Sequence, residues 1–276
     1  MRRALVVLAT LILTVAAVPG IAAAAPTAHA RQVHVHGYHV TVDCTGAGKP
    51  TVILFAGFGD SHTIWDGIQQ RLARHHRVCS YDRLGEGTSS APRTTQTLGS
   101  NARLLHRVLA KLHTRGPLVL VGHSIGGDIA VKYARTYPRS VAGLVTLDAT
   151  PPGYLPFVLH LIPADATGVP AALRDEAEGI VSGDNQERLQ VVSSRWARPR
   201  SLGHLPMAVV EHGKDIFAIA GAYGPPLQQH WADGQLALAK MSRRSQVIIA
   251  TRSGHYIYQD QPRLTLDVIN AVIAES

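Results

Sequence analysis

The chain is sparing with charge, cysteine and long apolar runs, and each shortage excludes something. Charged residues make up 17% of its 276 residues against 46% hydrophobic ones, the reverse of the composition that keeps a chain disordered. A core can therefore be buried, and one globular unit is expected at this length. The net charge of +8, or +6 without Arg2 and Arg3, is not gathered into any basic cluster denser than Arg243 and Arg244, nor interleaved with aromatics. Such a balance favours solubility and weak surface adsorption, and no nucleic-acid partner is expected. Internal repeats, low-complexity tracts beyond the first residues and long linkers are missing as well.

The apolar run of any length is Ala4 to Val18, shorter than the roughly 20 residues a bilayer span needs. It follows Met1-Arg2-Arg3 and precedes Ala28-His29-Ala30, so a basic start, a short apolar core and an A-x-A site read as a secretory signal peptide over residues 1–30. The expected mature protein begins near Ala25 or Arg31, is secreted or extracytoplasmic, and has no stable membrane insertion. Only Cys44 and Cys79 occur, and an even count in an oxidising compartment favours pairing.

What is present is an alternation. Apolar β-rich runs at Val52 to Phe55, Val78 to Tyr81, Leu118 to Val121, Val141 to Leu147, Met207 to Val210 and Val247 to Ala250 are separated by amphipathic stretches. Those stretches are Thr63 to Arg74, Thr97 to Leu112, Gly127 to Tyr137 and Pro226 to Met241. Strands apolar on both faces that alternate with helices imply an α/β fold with a mostly parallel sheet covered on two sides. Gln32 to His36 and Tyr38 to Asp43, joined at Gly37, read as an antiparallel hairpin leading into it. The alternation breaks after Asp148. Residues 149–204 carry no strand pattern but an apolar start, Tyr154 to Ile162, and a helical run from Ala171 to Trp196, and they are read as a helical cap inserted into a core of residues 31–148 and 205–276.

The residues that carry chemistry begin where a buried strand, Leu118 to Val121, runs into Gly122-His123-Ser124-Ile125-Gly126 and then a helix. A G-x-S-x-G pentapeptide arises by accident in glycine-rich loops; its strand-turn-helix setting is what marks Ser124 as a nucleophile held on a strained turn. The glycines let strand and helix backbones approach on either side of it. A nucleophilic serine needs a base, and His255, in Ser253-Gly254-His255 after the last strand, follows it in the required chain order. The oxyanion donors are expected from the Ile125 amide and from Phe58 in Ala56-Gly57-Phe58-Gly59, after an early strand. His34 and His36 share a strand face but lack a third ligand at suitable spacing, so no metal site is expected.

Phe55 to Gly59 with Trp65 downstream, Cys79 to Ser89, Gly122 to Gly127, Leu147-Asp148-Ala149-Thr150 and Ser253 to Tyr256 together make the chain resemble the α/β-hydrolase family. Within it, the likeness is to small esterase-like and haloperoxidase-like members with a cap. The resemblance implies an eight-stranded, mostly parallel sheet flanked by helices with the cap after strand six, a small-molecule ester-like substrate and no cofactor. Ala56 departs from the pattern, standing where many members carry histidine. The acid that orients His255 is either Asp148, favoured, or Asp215 in Gly213-Lys214-Asp215, which matches the commoner family position. The aspartate that is not the acid, and Asp82 beside Arg83, would cap loops. The same resemblance makes Cys44 and Cys79 sheet neighbours that a cross-link could join, two buried thiols being the alternative. A serine nucleophile implies carboxylic ester hydrolysis, with perhydrolase, thioesterase, lactonase or C–C hydrolase chemistry, or a non-catalytic binding protein on this fold, as alternatives.

Overall fold

The computed structural model describes residues 30–114, 116–191 and 201–276. The expected signal peptide lies outside the described residues apart from Ala30, as does the end of the helical run at Trp196.

Eight strands form one sheet in the order β1-β2-β4-β3-β5-β6-β7-β8. They are β1 (Ala30–Val35), β2 (Tyr38–Thr45), β3 (Thr51–Phe55), β4 (Val78–Tyr81), β5 (Leu118–His123), β6 (Val141–Leu147), β7 (Met207–His212) and β8 (Ser245–Ala250). β1 and β2 pair antiparallel across the His36-Gly37 turn, where both residues have positive φ, as a tight hairpin requires. β2 runs antiparallel to β4, with Cys44 directly opposite Cys79, and the two are joined in a disulfide. From β4 to β8 every pairing is parallel.

Helices α1 (Asp66–Leu72), α2 (Leu98–Lys111), α3 (Ile125–Thr136), α4 (Tyr154–Leu161), α5 (Gly168–Ser182), α6 (Gly224–Ala239), α7 (Ile257–Asp260) and α8 (Pro262–Ala274) complete the described elements, with short 3-10 turns between. The period of two along each strand sends alternate residues to opposite faces. Ile53, Phe55, Leu118, Leu120 and Val209 join a core with α2, α3 and α6. Val52, Leu54, Val119, Val121 and Val210 join another with α1 and α8. Strands buried on both faces are what a nearly continuous apolar run is for.

Three readings need adjustment. The stretch Thr63 to Arg74 is a 3-10 turn, His62–Trp65, followed by the shorter α1. The helical run from Ala171 stops at Ser182, because Gly183 takes φ +82° as a left-handed cap. Beyond it Asn185 turns the chain, its amide donating to the Gly179 and Leu189 carbonyls at 2.9 and 2.8 Å. A Gly-Asp-Asn stop lay in the sequence and outweighs the apolar periodicity beyond it. The C-terminal α8 was absent from the sequence-based alternation; Pro262 opens it and Val268, Ile269 and Val272 form its buried stripe.

The chain winds one way from β3 to β4 and the other way from β3 to β5, so β3 is a switch point. Loops leaving the carboxyl ends of β3, β5 and β6 diverge there and open a crevice. Ser124, Phe58 and Asp148 are all placed by that geometry. The insertion between β6 and β7 is helical: α4 buries Leu155 and Val158 in the larger core, so these two bind the insertion to the sheet domain.

Candidate active site

Ser124 stands between β5 and α3 with φ +52° and ψ −129°, a conformation that is costly for a residue with a side chain. The turn is held on both sides. Its amide donates to the Leu147 carbonyl at 3.1 Å, and its carbonyl accepts from the Gly127 amide at 2.9 Å. A Cβ on Gly122 would lie 2.5 Å from the Gly126 carbonyl and 2.6 Å from Gly127 Cα, and one on Gly126 would collide with the Phe55 and Ala56 carbonyls. Glycine is required at both positions by close packing of strand on helix.

The Ile125 amide opens α3, and the Phe58 amide lies in the loop after β3; among the described residues neither donates to a backbone partner. Two free N–H groups at a helix N-terminus and an adjacent loop are what an oxyanion needs. The loop carrying Phe58 is clamped from below. Arg83, 1% exposed, donates to the Ala56 and Gly57 carbonyls at 2.6 Å each and makes two 2.6 Å bonds to Glu187, which also accepts from the Gly59 amide at 3.2 Å. This buried fork fixes the loop at Ala56 and Gly57. It also ties the loop to the segment after α5. Glu86 sits against the same pair; burial first, then the nearby Glu187 charge, pushes its carboxyl up to about 8.

His255 donates through Nδ1 to Asp148 Oδ2 at 2.7 Å. Asp148, at the end of β6, is fully buried and has φ +48°, which aspartate tolerates better than most residues. Burial would raise its carboxyl, but the hydrogen bonds from His212 and His255 and their charges outweigh that and hold it well below the usual carboxylate range. Trp231 Nε1 on α6 adds a 2.9 Å bond to Oδ1, and the His212 amide one of 3.2 Å. The loop holding His255 is itself anchored: its carbonyl accepts from His123 Nε2 at 3.0 Å, and the Gly254 amide donates to Asp260 at 2.7 Å. Burial, then the neighbouring His255, lowers His123 to about 3, so His123 is neutral. Among the described residues no hydrogen bond joins Ser124 Oγ to His255, and such contacts often tighten only with substrate in place.

Asp215, the other aspartate considered, lies in the turn after β7 and accepts from the Phe217 amide at 3.2 Å; no hydrogen bond connects it with His255. Asp82 caps its loop by accepting from the His62 and Thr88 amides at 2.7 and 3.0 Å. His212, Trp231 and Arg83 belong to the site yet carried no sequence signal of their own. His212 follows the strand run that ended, by pattern, at Val210; the extra two residues of β7 are what bring it beside Asp148.

A family model described as the alpha/beta hydrolase fold matches residues 50–182, which span the loop after β3, the serine turn and Asp148. The chain belongs to the α/β-hydrolase fold family. An uncharacterized protein of Mycobacterium tuberculosis is 28% identical over 268 residues, covering 85% of this chain and 78% of that one. A thermophilic esterase from Thermogutta terrifontis superposes with a TM-score of 0.65 at 21% identity, over 90% of this chain and 99% of that one. The pimeloyl-[acyl-carrier protein] methyl ester esterase of Sodalis glossinidius is 34% identical over 126 residues, 42% of this chain and 46% of its own length. No described helix is long and apolar enough to cross a membrane.

Proposed function

We propose that this α/β-hydrolase is a secreted serine esterase in which Ser124 is the nucleophile, His255 the general base and Asp148 the triad acid. The observation that carries this reading lies at the carboxyl ends of the strands: a strained serine turn after β5, whose neighbouring His123 ring is 4.5 Å from that of His255, and a His255 Nδ1 held at 2.7 Å by the buried, ionised carboxylate of Asp148. That bond fixes the tautomer leaving Nε2 free to accept a proton.

Ser124 Oγ attacks an ester carbonyl while its proton passes to His255 Nε2. The oxyanion is met by the Ile125 and Phe58 amides, and the imidazolium by Asp148. His255 returns the proton to the departing alkoxide, and water then repeats the sequence to release the acid and regenerate Ser124. Every proton is accounted for by the one imidazole, with no metal or redox group in the cycle. The names of the Thermogutta and Sodalis relatives favour carboxylic esters over the other chemistries open to this machinery.

Helices α4 and α5 act as a cap, and Phe157, Leu159 and Leu161, half-buried on α4, supply an apolar acyl surface. The Cys44–Cys79 disulfide agrees with an oxidising destination and so supports export by the N-terminal segment. Initial rates on p-nitrophenyl acetate, butyrate and octanoate test the assignment. Turnover that Ser124→Ala abolishes is the expected result, with the chain-length preference reporting the cap surface; equal rates in both proteins refute it.

A further inference from the structure

Asp148 is shared. His255 takes Oδ2 from one side, while His212 Nδ1 lies 2.8 Å from each oxygen. A carboxylate only accepts, so both imidazoles turn an N–H toward it. A triad acid needs one histidine, and the second is fully buried at the end of β7, with no route for its hydrogen bonds to water to be kept.

The far side of His212 is equally specific. Its Nε2 meets the side-chain amide of Gln228 on α6, with the amide nitrogen at 2.9 Å and the amide oxygen at 3.2 Å. An amide offers a donor to a neutral ring and an acceptor to a cationic one. Gln228 therefore accommodates both protonation states and dictates neither.

We propose that His212 is a positioning residue that shares Asp148 with His255, and that its charge state sets how strongly Asp148 supports the base. The proposal rests on the Ser124–His255–Asp148 reading. With His212 neutral, the whole carboxylate charge faces the imidazolium that forms when His255 takes the serine proton. With His212 cationic, that charge is already neutralised and acyl transfer slows. No proton passes through His212 in the cycle; it acts by electrostatics alone.

The groups around His212 decide where it titrates. Asp148 faces it from β6, Glu211 from its own strand, and Gln228 and Trp231 from α6, where Asp233 acts in turn on Glu211, while His255 reaches the same carboxylate from the loop after β8. Burial disfavours the imidazolium, but the bond to Asp148, its charge and the Gln228 contact outweigh it and raise His212 above the ordinary histidine value. As pH falls, His212 thus becomes charged earlier than a solvated histidine would.

The test is the pH dependence of kcat/KM on p-nitrophenyl butyrate across the range in which histidines titrate, about pH 5 to 8. Wild type should lose activity through two protonations, its logarithmic acid limb exceeding a slope of one around the His212 titration and carrying an extra drop of about tenfold. His212→Gln, which retains a donor for Asp148 and removes the titration, should show a slope of one. A slope of one in both proteins overturns the proposal. Gln228→Glu supplies a partner that holds His212 cationic and should lower kcat/KM about tenfold at neutral pH, one pKa unit of interaction, with KM unchanged. An unaltered rate counts against it.

Should His212→Gln fail to fold, proton NMR of the wild-type chain answers without turnover. Two far-downfield imidazole N–H signals are expected from the two rings on Asp148, and a single one contradicts the sharing. Because that readout needs no substrate, it stands even if Ser124→Ala shows the esterase reading to be wrong.

Discussion

Asp148 and Asp215 stand past the ends of neighbouring strands, β6 and β7, and differ in everything but residue type. Asp148 is buried and takes bonds from His255, His212 and Trp231, whereas Asp215 accepts one amide within its own turn. The β7 position matches the commoner family pattern, yet the histidine is held from β6. The difference teaches that which aspartate holds the histidine is decided by the donors converging on it, not by its place in a motif. Those donors come from three separate elements, β7, α6 and the loop after β8.

The largest effect that should separate the two is on rate. Asp148→Asn is expected to cost about 10⁴ in kcat, since an amide no longer fixes the His255 tautomer or stabilises its charged form. Asp215→Asn should stay within about twofold in kcat/KM on the same p-nitrophenyl ester, so comparable losses would erase the distinction.

Stability gives the next contrast. Replacing Arg83 with Met leaves Glu187 buried without its partner and should cost about 3–5 kcal/mol by denaturant unfolding, with the oxyanion loop released from its clamp. Asp215→Asn should shift stability by no more than about 0.5 kcal/mol.

Acid sharpens the comparison further. Asp148 is held below the ordinary carboxylate value in the folded protein, so its contribution to stability is present above about pH 4 and is lost as pH falls through the folded value. The stability gap between wild type and Asp148→Asn, followed by urea unfolding, should therefore narrow below about pH 4, as Asp148 takes up its proton. A gap that widens on acidification would reverse the sign of the argument.

The smallest of these effects tests a single donor. Trp231→Phe keeps an aromatic ring, though a smaller one, and removes one bond to Asp148 Oδ1, about 1.5–3 kcal/mol for a bond to a charged group, seen as a roughly tenfold or greater loss in kcat with KM little changed. A raised KM with unchanged kcat would place Trp231 in substrate binding instead.

Much of this was legible beforehand because local pattern and global fold agree. Val52 to Phe55 and Leu118 to Val121 are apolar on both faces since both faces are covered, and Gly122 and Gly126 are glycines since no Cβ fits. What escaped is non-local. His212 looks like any residue at the end of a strand, and nothing in its neighbours' spacing reveals that β7 lies next to β6 with Asp148 at its tip. Arg83 reads as a charge beside Asp82 until Glu187, 104 residues later, is folded against it. The insertion's second helix was overextended for a local reason, Gly183 taking a conformation that ends helices.

The most direct test of the central claim is labelling of the intact wild-type chain with a fluorophosphonate, followed by peptide mass spectrometry. An activated serine at the β5–α3 turn predicts one stoichiometric adduct on Ser124, much reduced in Asp148→Asn and retained in Asp215→Asn. No adduct, or an adduct on Ser124 that is indifferent to Asp148, would contradict the account.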